Sequence, residues 1–396
     1  MNRFEFHPVG QGLFYTGSLM HGTYQFVFDC GTENKQNYVN DCIDNYVKSF
    51  LYDKEKPIID FVVISHLHKD HFSGLIYLLH KAKVNKIYLP YLGENNDVIR
   101  ATLALSIFQE QNDQGTEYNV QNNISLFYFM CGLYGVDESR DFIRYRELVA
   151  YIRNDEKLNN NRNVVYAAEK FDVGYKNNPY WQFNLIQSRV YGKKLNQLYE
   201  QLDSFFDKFK SKDLISIILN NKDALNELRG IYESIFGKGN ALNLTSILLV
   251  HFPIYSNAVS ICPYNNGLHY FENYIKNHYY RHYCCDFNDY FYRMKVSNSV
   301  VSILTSDAML DSVITSKINH IKGERENLIL QIPHHGSKDN WDAILKNNIE
   351  SNIYIIPFGY GNRHKHPSSY TIDSLIDDRK EFYCVNQKDK YLYFID

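Results

Sequence analysis

The segment SHLHKDH, residues 65–71, puts three imidazoles and a carboxylate into seven residues. Imidazole nitrogens and carboxylate oxygens are ligands for zinc and other first-row ions. In extended backbone, alternate residues share a face, so His66 and His68 can hold one ion. Asp70 and His71 are adjacent, so the chain must turn there, and a turn lets that pair face a second ion. Further candidates follow later in the chain. Asp307 sits in LTSDA, His334 and His335 in PHHGS, and His364 and His366 in NRHKHPS. Ser337 and Lys338 come directly after the His pair and could contact a phosphate. The chemistry such a set supports is hydrolysis: a bound divalent cation lowers the pKa of water from 15.7 toward about 7.

Strands must present these residues. IIDFVVIS (58–65) is a β-branched apolar run that reads as one buried strand ending at the His cluster. Ahead of it, FEFHPV, GLFYTG and TYQFVFDCG read as strands punctuated by Gly10, Gly12 and Gly17. DCIDNYVKSFL (41–51) and FSGLIYLLHKAK (72–83) read as helices, and NKIYLPYL (85–92) as a strand. The same rhythm returns near the C-terminus with LTSILLVHF (244–252), VVSILTSDA (300–308), NLILQIP (327–333), NIYIIPFG (352–359), EFYCV (381–385) and YLYFI (391–395), with two helical segments among the last five. Alternating strands and helices imply a layered α/β fold.

The rhythm weakens between these blocks. Residues 95–242 read as a mostly helical insertion with a few strands, containing DVIRATLALSIFQEQ and KDALNELRGIYESIF. Residues 267–294 hold 10 aromatic residues in 28, within a second insertion at about 254–297. The expected division is therefore 1–94, 95–242 and 243–396. The chain carries 42 Lys and Arg against 45 Asp and Glu, a formal net charge of -3, which argues against a surface coated in basic charge for non-specific nucleic-acid binding. A local basic groove is compatible with it, and RYRELVAYIR, SRVYGKKL and KFKSK are candidates. The seven cysteines have no ligand or disulfide spacing, which fits a reducing cytosol. The N-terminus lacks the apolar core of a secretory signal, and no run of 18 apolar residues occurs, so a cytoplasmic location without membrane contact is expected.

SHLHKDH resembles the H-x-H-x-D-H signature of the metallo-β-lactamase superfamily. FDCG with Asp29 resembles its first acidic motif, and LTSDA resembles L-T-G-D-A with Ser306 in place of Gly. PHHGS and NRHKHPS resemble motifs of one subgroup, the hydrolase domain of bacterial DNA-uptake (competence) proteins. The resemblance covers roughly 1–92, 243–253 and 298–396. It implies a four-layer αβ/βα sandwich and a centre of two divalent ions, Zn or Mn with Mg as a further option. The implied ligands are His66, His68, Asp70, His71, Asp307 and His366, with Asp307 bridging the two ions. It places Asn243 and Ser246 near the site and His364 at an aromatic position of the subgroup.

Two cations about 3.5–4 Å apart can hold a phosphoryl oxygen and a bridging hydroxide. Asp70 would hold one ion and orient the hydroxide. Adjacent residues at a strand end point to opposite faces, so one of His334 and His335 is expected to meet phosphate or protonate the leaving group. The other would orient a ligand or pack under the loop. A phosphodiesterase or nuclease acting on nucleic acid or a nucleotide is the leading expectation. The alternatives are a hydrolase of a cyclic nucleotide, lactone or phosphorylated metabolite, and a catalytic subunit of a multi-protein system, such as phage defence, that binds partners through its insertions.

Overall fold

The computed structural model describes residues 2–49, 56–108, 117–136, 143–153, 164–166, 170–175, 178–187, 192–221, 223–236, 246–251, 259–262, 292–294 and 300–395. The chain opens with strands β1 (Asn2–Phe6), β2 (Phe14–Leu19) and β3 (Tyr24–Cys30), then helix α1 (Gln36–Lys48). Next come β4 (Ile58–Ile59), β5 (Phe61–Val63), α2 (Lys69–Phe72), α3 (Leu75–Lys81), β6 (Lys83–Val84) and β7 (Ile87–Pro90). The run IIDFVVIS is thus two strands rather than one. Asp60 separates them by gripping β3: its carboxylate accepts from Gln25 N at 2.7 Å and its own N–H donates to Gln25 O at 2.8 Å.

The middle of the chain contains α4 (Asn96–Ile107), α5 (Glu117–Tyr134), α6 (Ile143–Arg146), β8 (Val149–Arg153), β9 (Val164–Tyr166), β10 (Lys170–Tyr175), β11 (Asn178–Gln187), α7 (Gly192–Phe209), α8 (Leu214–Asn220) and α9 (Ala224–Phe236). The last part has β12 (Ser246–His251), β13 (Val259–Cys262), β14 (Tyr292–Met294), β15 (Val300–Leu304), α10 (Ser312–Lys322), β16 (Glu326–Gln331), α11 (Lys338–Lys346), β17 (Ile353–Pro357), α12 (Ser369–Asp377), β18 (Glu381–Val385) and β19 (Tyr391–Ile395). Three helices, α10 to α12, lie where two were read from the sequence.

Among the described residues, one sheet runs β14-β13-β19-β1-β2-β3-β5-β7-β8-β9 and a second runs β10-β11-β12-β15-β16-β17-β18. β4 and β6 form a small parallel ribbon of their own. The segment 95–242 contributes to both large sheets: β8 and β9 extend the first beside β7, and β10 and β11 lead into β12 of the second. Of the second insertion, at about 254–297, only β13 and β14 are described, and β13 pairs with β19.

Alternation along the strands stacks the layers. On β3, Phe26 and Phe28 face one buried cluster and Val27 another; on β17, Ile353 and Ile355 face that first cluster while Tyr354 and Ile356 face a third. The shared cluster lies between the two sheets. Its aromatic centre spans both, with Phe26 at 5.0 Å from Phe183 and Phe4 at 5.5 Å from Trp181, centroid to centroid. The outer face of the first sheet packs on α1, α3 to α5 and α7 to α9, and the outer face of the second on α10 to α12. The layers therefore run helices, sheet, sheet, helices. Among the described residues, no helix is long and apolar enough to cross a membrane.

β3, β5 and β7 run parallel in the first sheet, as do β15, β16 and β17 in the second. The carboxyl ends of parallel strands are where α/β sheets present their chemistry. Here β3 ends in Asp29 and Cys30, and the loops after β5, β15, β16 and β17 carry His66 to His71, Ser306 and Asp307, His334 and His335, and His364 to His366.

Candidate metal centre

The His cluster is set by close backbone packing. α2 opens at Lys69, so Asp70 and His71 leave the extended chain on its first turn, as a turn at that point requires. Two glycines beside the neighbouring strands, Gly12 before β2 and Gly31 after β3, let this turn in. A Cβ on Gly31 would stand 2.6 Å from Asp70 C and His71 N, and one on Gly12 would stand 2.7 Å from Asp70 O. Leu13 N–H donates to Asp70 O at 3.1 Å, which ties the turn to the β2 entry.

The side chains then converge. His66, Asp70, His71 and His335 are buried, and Asp307 is nearly so. His66 Nε2 lies 3.5 Å from Asp307 Oδ2, and His71 Nε2 lies 3.5 Å from Asp307 Oδ1 and 3.4 Å from Asp70 Oδ2. His335 Nε2 lies 3.1 Å from Asp70 Oδ2. Among the described residues, two sets could each hold an ion: His66, His71 and Asp307, and Asp70, His71 and His335, with ligand atoms within 4.8 Å of one another in each.

A cation fits these donors on two counts. His66 Nε2, His71 Nε2 and Asp307 Oδ1 are buried without a hydrogen bond. Leaving a buried polar atom unsatisfied costs about 1–3 kcal/mol. Two atoms bound to one ion at about 2.1 Å with tetrahedral angles stand roughly 3.4 Å apart, which is the spacing found here. The imidazole-rich set without thiolate suits zinc or another first-row transition ion better than magnesium, which prefers oxygen and water.

Each imidazole is turned by its outer nitrogen. His71 Nδ1 lies 2.8 Å from Asp29 Oδ2, and His335 Nδ1 lies 2.9 Å from the Pro357 carbonyl oxygen. His66 Nδ1 lies 3.0 Å from Ser65 Oγ. Asp29, fully buried at the end of β3, also accepts from Ser65 N at 2.6 Å and Ser65 Oγ at 2.7 Å. Ser65 is a site residue that the sequence did not point out, because a lone serine before a His has no distinguishing pattern.

The charges are strongly coupled. Burial works against the charged forms of Asp70 and Asp307. His71 and then His335 nevertheless hold Asp70 well below the usual carboxylate range, and His334 and then His71 do the same for Asp307. Burial likewise opposes charge on His71, but Asp70, Asp29 and Asp307 hold it well above the usual imidazole value. His335 is raised against its burial, chiefly by Asp70. Burial, reinforced by His66, pushes His68 down to about 3; burial and then His334 push His366 down to about 4. Both are therefore neutral and free to act as ligands near pH 7.

The remaining candidates lie around this centre. The His68 ring is 4.6 Å from that of His66, yet His68 belongs to neither donor set. His366 also stands outside both, with its ring 5.3 Å from His334 and 6.0 Å from His364. His334 and His335 occupy a 3-10 turn rather than a strand end, both at positive φ (50° and 55°), and it is this turn that separates their rings by 6.3 Å. His334 is partly exposed and His335 buried. Ser337 is buried ahead of α11, and Lys338 is exposed with Nζ 5.1 Å from the Tyr370 ring centroid. His364 is exposed and receives Arg363 Nε–H at 3.1 Å. Ser246 opens β12 opposite Gln187, and Asn243 lies outside the described residues.

No protein-family model matches the sequence, and no curated protein does. A solved structure titled CmlA beta-hydroxylase E377D mutant superposes with a TM-score of 0.35 at 9% identity, over 99% of this chain and 53% of that one. The chain thus spans about half the length of that protein.

Proposed function

We propose that this chain is a metal-dependent hydrolase of the metallo-β-lactamase fold that cleaves phosphodiesters, with nucleic acid or a nucleotide as substrate. The observation that carries the reading is the group of buried atoms without hydrogen bonds, His66 Nε2, His71 Nε2 and Asp307 Oδ1, where the two sheets meet. Asp307 turns one oxygen to each imidazole, which suits a carboxylate shared by two ions. His66 and Asp307 make the first ligand set, with His68, which lies outside the donor groups with its ring 4.6 Å from that of His66, as the third ligand that the motif resemblance implies. Asp70, His71, His335 and Asp307 make the second, with His335 in the place that the motif resemblance gives to His366. The order of the motifs along the chain supports the family, and the subgroup resemblance supports the phosphodiester.

When bound, the two cations neutralise a phosphoryl oxygen and lower the pKa of water toward about 7. The protein's own groups do the rest. Asp70, kept anionic, accepts a hydrogen bond from the attacking water. His334, partly exposed beside His366, is placed to give a proton to the leaving oxygen. Lys338 and His364 add donors for the substrate anion at the rim, with Ser337, Ser246 and Asn243 as further contacts.

The test is to strip the protein of metal, reload it with Mn²⁺, Zn²⁺ or Mg²⁺, and offer single- and double-stranded DNA, RNA, bis(p-nitrophenyl) phosphate, cyclic nucleotides and a lactone. Metal-dependent phosphodiester cleavage, lost in Asp307→Ala, is expected. Turnover of the lactone alone, or of nothing with any ion, overturns the reading.

A further inference from the structure

Ser306 stands where the backbone is left-handed, at φ 51°. That region suits glycine, and an L-residue enters it only against its Cβ. A serine there needs a reason, and its hydroxyl supplies one. Ser306 Oγ lies 2.6 Å from Ser65 Oγ, 3.0 Å from Asp29 Oδ2, 3.0 Å from His71 Nδ1 and 3.3 Å from His66 Nδ1. Ser306 is fully buried, and its N–H donates to Gln331 Oε1 at 2.9 Å, so the hydroxyl is held in place from behind.

We propose that Ser306 and Ser65 form a hydroxyl clamp that couples His66 and His71 to the single carboxylate of Asp29, so that both imidazoles, in the neutral form that binds an ion, present a bare Nε2 toward Asp307. The count of hydrogens leads to this. Asp29 only accepts. His71 Nδ1 donates to it directly. Ser65 donates to it as well, which leaves the Ser65 oxygen to accept from His66 Nδ1. The Ser306 hydrogen goes to Asp29 or to Ser65 Oγ. Every hydrogen thus points toward Asp29 only when both imidazoles carry theirs on Nδ1. Were His66 to bear its hydrogen on Nε2 instead, Nδ1 would draw the Ser65 hydrogen away from Asp29. Ser306 is in this sense a positioning residue: it acts on the metal ligands through hydrogen bonds and touches no reacting atom.

The inference rests on the metal-centre reading and is tested with zinc alone. Long-range proton–nitrogen spectra of the zinc-loaded wild type should show His66 and His71 protonated at Nδ1 and bound through Nε2. Ser306→Gly should weaken zinc binding about 10–100-fold, the usual consequence of removing a group that orients a ligand. The melting temperature of the metal-free variant should stay within about 3 °C of wild type, because glycine relaxes the left-handed backbone as the hydroxyl is lost. A merely structural serine would move stability and leave affinity alone. Ser65→Ala should weaken zinc similarly. Wild type with His66 bound through Nδ1 overturns the clamp, and so does Ser306→Gly with wild-type affinity. Should Ser306→Gly fail to fold, the wild-type spectrum and Ser65→Ala decide. A wild-type protein that binds no zinc overturns the metal-centre reading itself.

Discussion

Replacing His335 by alanine should strip metal, whereas replacing His334 should leave metal in place and slow turnover. His335 Nδ1 lies 2.9 Å from the Pro357 carbonyl, which only accepts, so Nδ1 carries the hydrogen. When the ring is neutral, Nε2 then offers a lone pair to Asp70 Oδ2 at 3.1 Å. Two acceptors at that spacing repel unless a proton or a cation relieves them. In the metal-free protein the Asp70 carboxylate, working against burial, raises the imidazole and keeps a proton there. A cation takes that proton's place. A four-donor zinc site binds with about 10–16 kcal/mol, so one donor contributes about 3 kcal/mol, roughly a hundredfold in affinity. His334→Ala should instead lower kcat by about 10²–10⁴, the usual contribution of a general acid. Because p-nitrophenolate departs without a proton, bis(p-nitrophenyl) phosphate should recover most of that loss. Elemental analysis after dialysis, zinc competition titration and kcat on both substrate types separate the two roles. If His335→Ala keeps its metal and the good leaving group restores its rate, the assignment is reversed.

Asp70→Ala should cost the ion shared with His71 and His335, while His66→Ala should retain about one equivalent, because the second set has more protein donors; His66→Ala emptied of all metal beside a fully loaded Asp70→Ala would reverse that order. Gly31→Ala should destabilise the fold by about 1–3 kcal/mol and impair metal uptake, because its Cβ would stand 2.6 Å from the backbone of Asp70, His71 and Phe72. A variant with wild-type melting temperature and metal content would refute that packing argument. Acid should weaken the fold through His7, which burial pushes down to about 4 despite Glu5 beside it, with Lys390 and Arg3 adding to the depression. The unfolded chain takes up a proton near pH 6.5 that the folded chain refuses until about 4. Stability should therefore fall as pH drops through that window, by up to about 3 kcal/mol. In His7→Asn the unfolding free energy should lose that part of its slope; an unchanged slope would assign the acid sensitivity to other groups.

Much of the scaffold and the centre of the site are legible in the sequence because periodicity and burial leave direct marks. The apolar strands end abruptly in His, Asp and Ser, and those breaks coincide with His66, Asp307 and the His334–His335 pair. What the sequence conceals depends on backbone handedness and on contacts between distant strands. The His334–His335 pair reads as a strand end, but two successive left-handed residues turn it, and nothing in the dipeptide HH announces that. His335 therefore reads as a catalytic or orienting residue rather than as a neighbour of Asp70. Asp60 divides an apolar run by bonding to a strand more than thirty residues earlier, which a local window cannot register. Segment 95–242 reads as a mostly helical insertion with a few strands because its helices dominate the pattern, while the strands that extend both sheets, β8 to β11, carry no motif that would say which sheet each joins.

Part of the backbone strain gathers at the same place as three of the unpaired polar atoms. Of the nine non-glycine residues with positive φ among the described residues, Asp29 stands at the end of β3 and Ser306, His334, His335 and Lys365 on the loops that meet at the centre, while Met20, Lys210, Asn348 and Arg379 lie elsewhere. Each such residue costs about 1–2 kcal/mol against a right-handed alternative. Strain of this kind persists only where the surroundings over-determine it. Here they do, since each loop leaves a strand buried in the core shared by the two sheets. The carboxylate of Asp29 and the carbonyl of Pro357 then fix what the loops carry. A chain selected for stability alone would place glycine at 306 and would not leave three polar atoms at the centre without partners. The unpaired His66 Nε2, His71 Nε2 and Asp307 Oδ1 and the close approach of His335 Nε2 to Asp70 Oδ2 would all be satisfied by divalent cations, and the strained loops are what hold these atoms together.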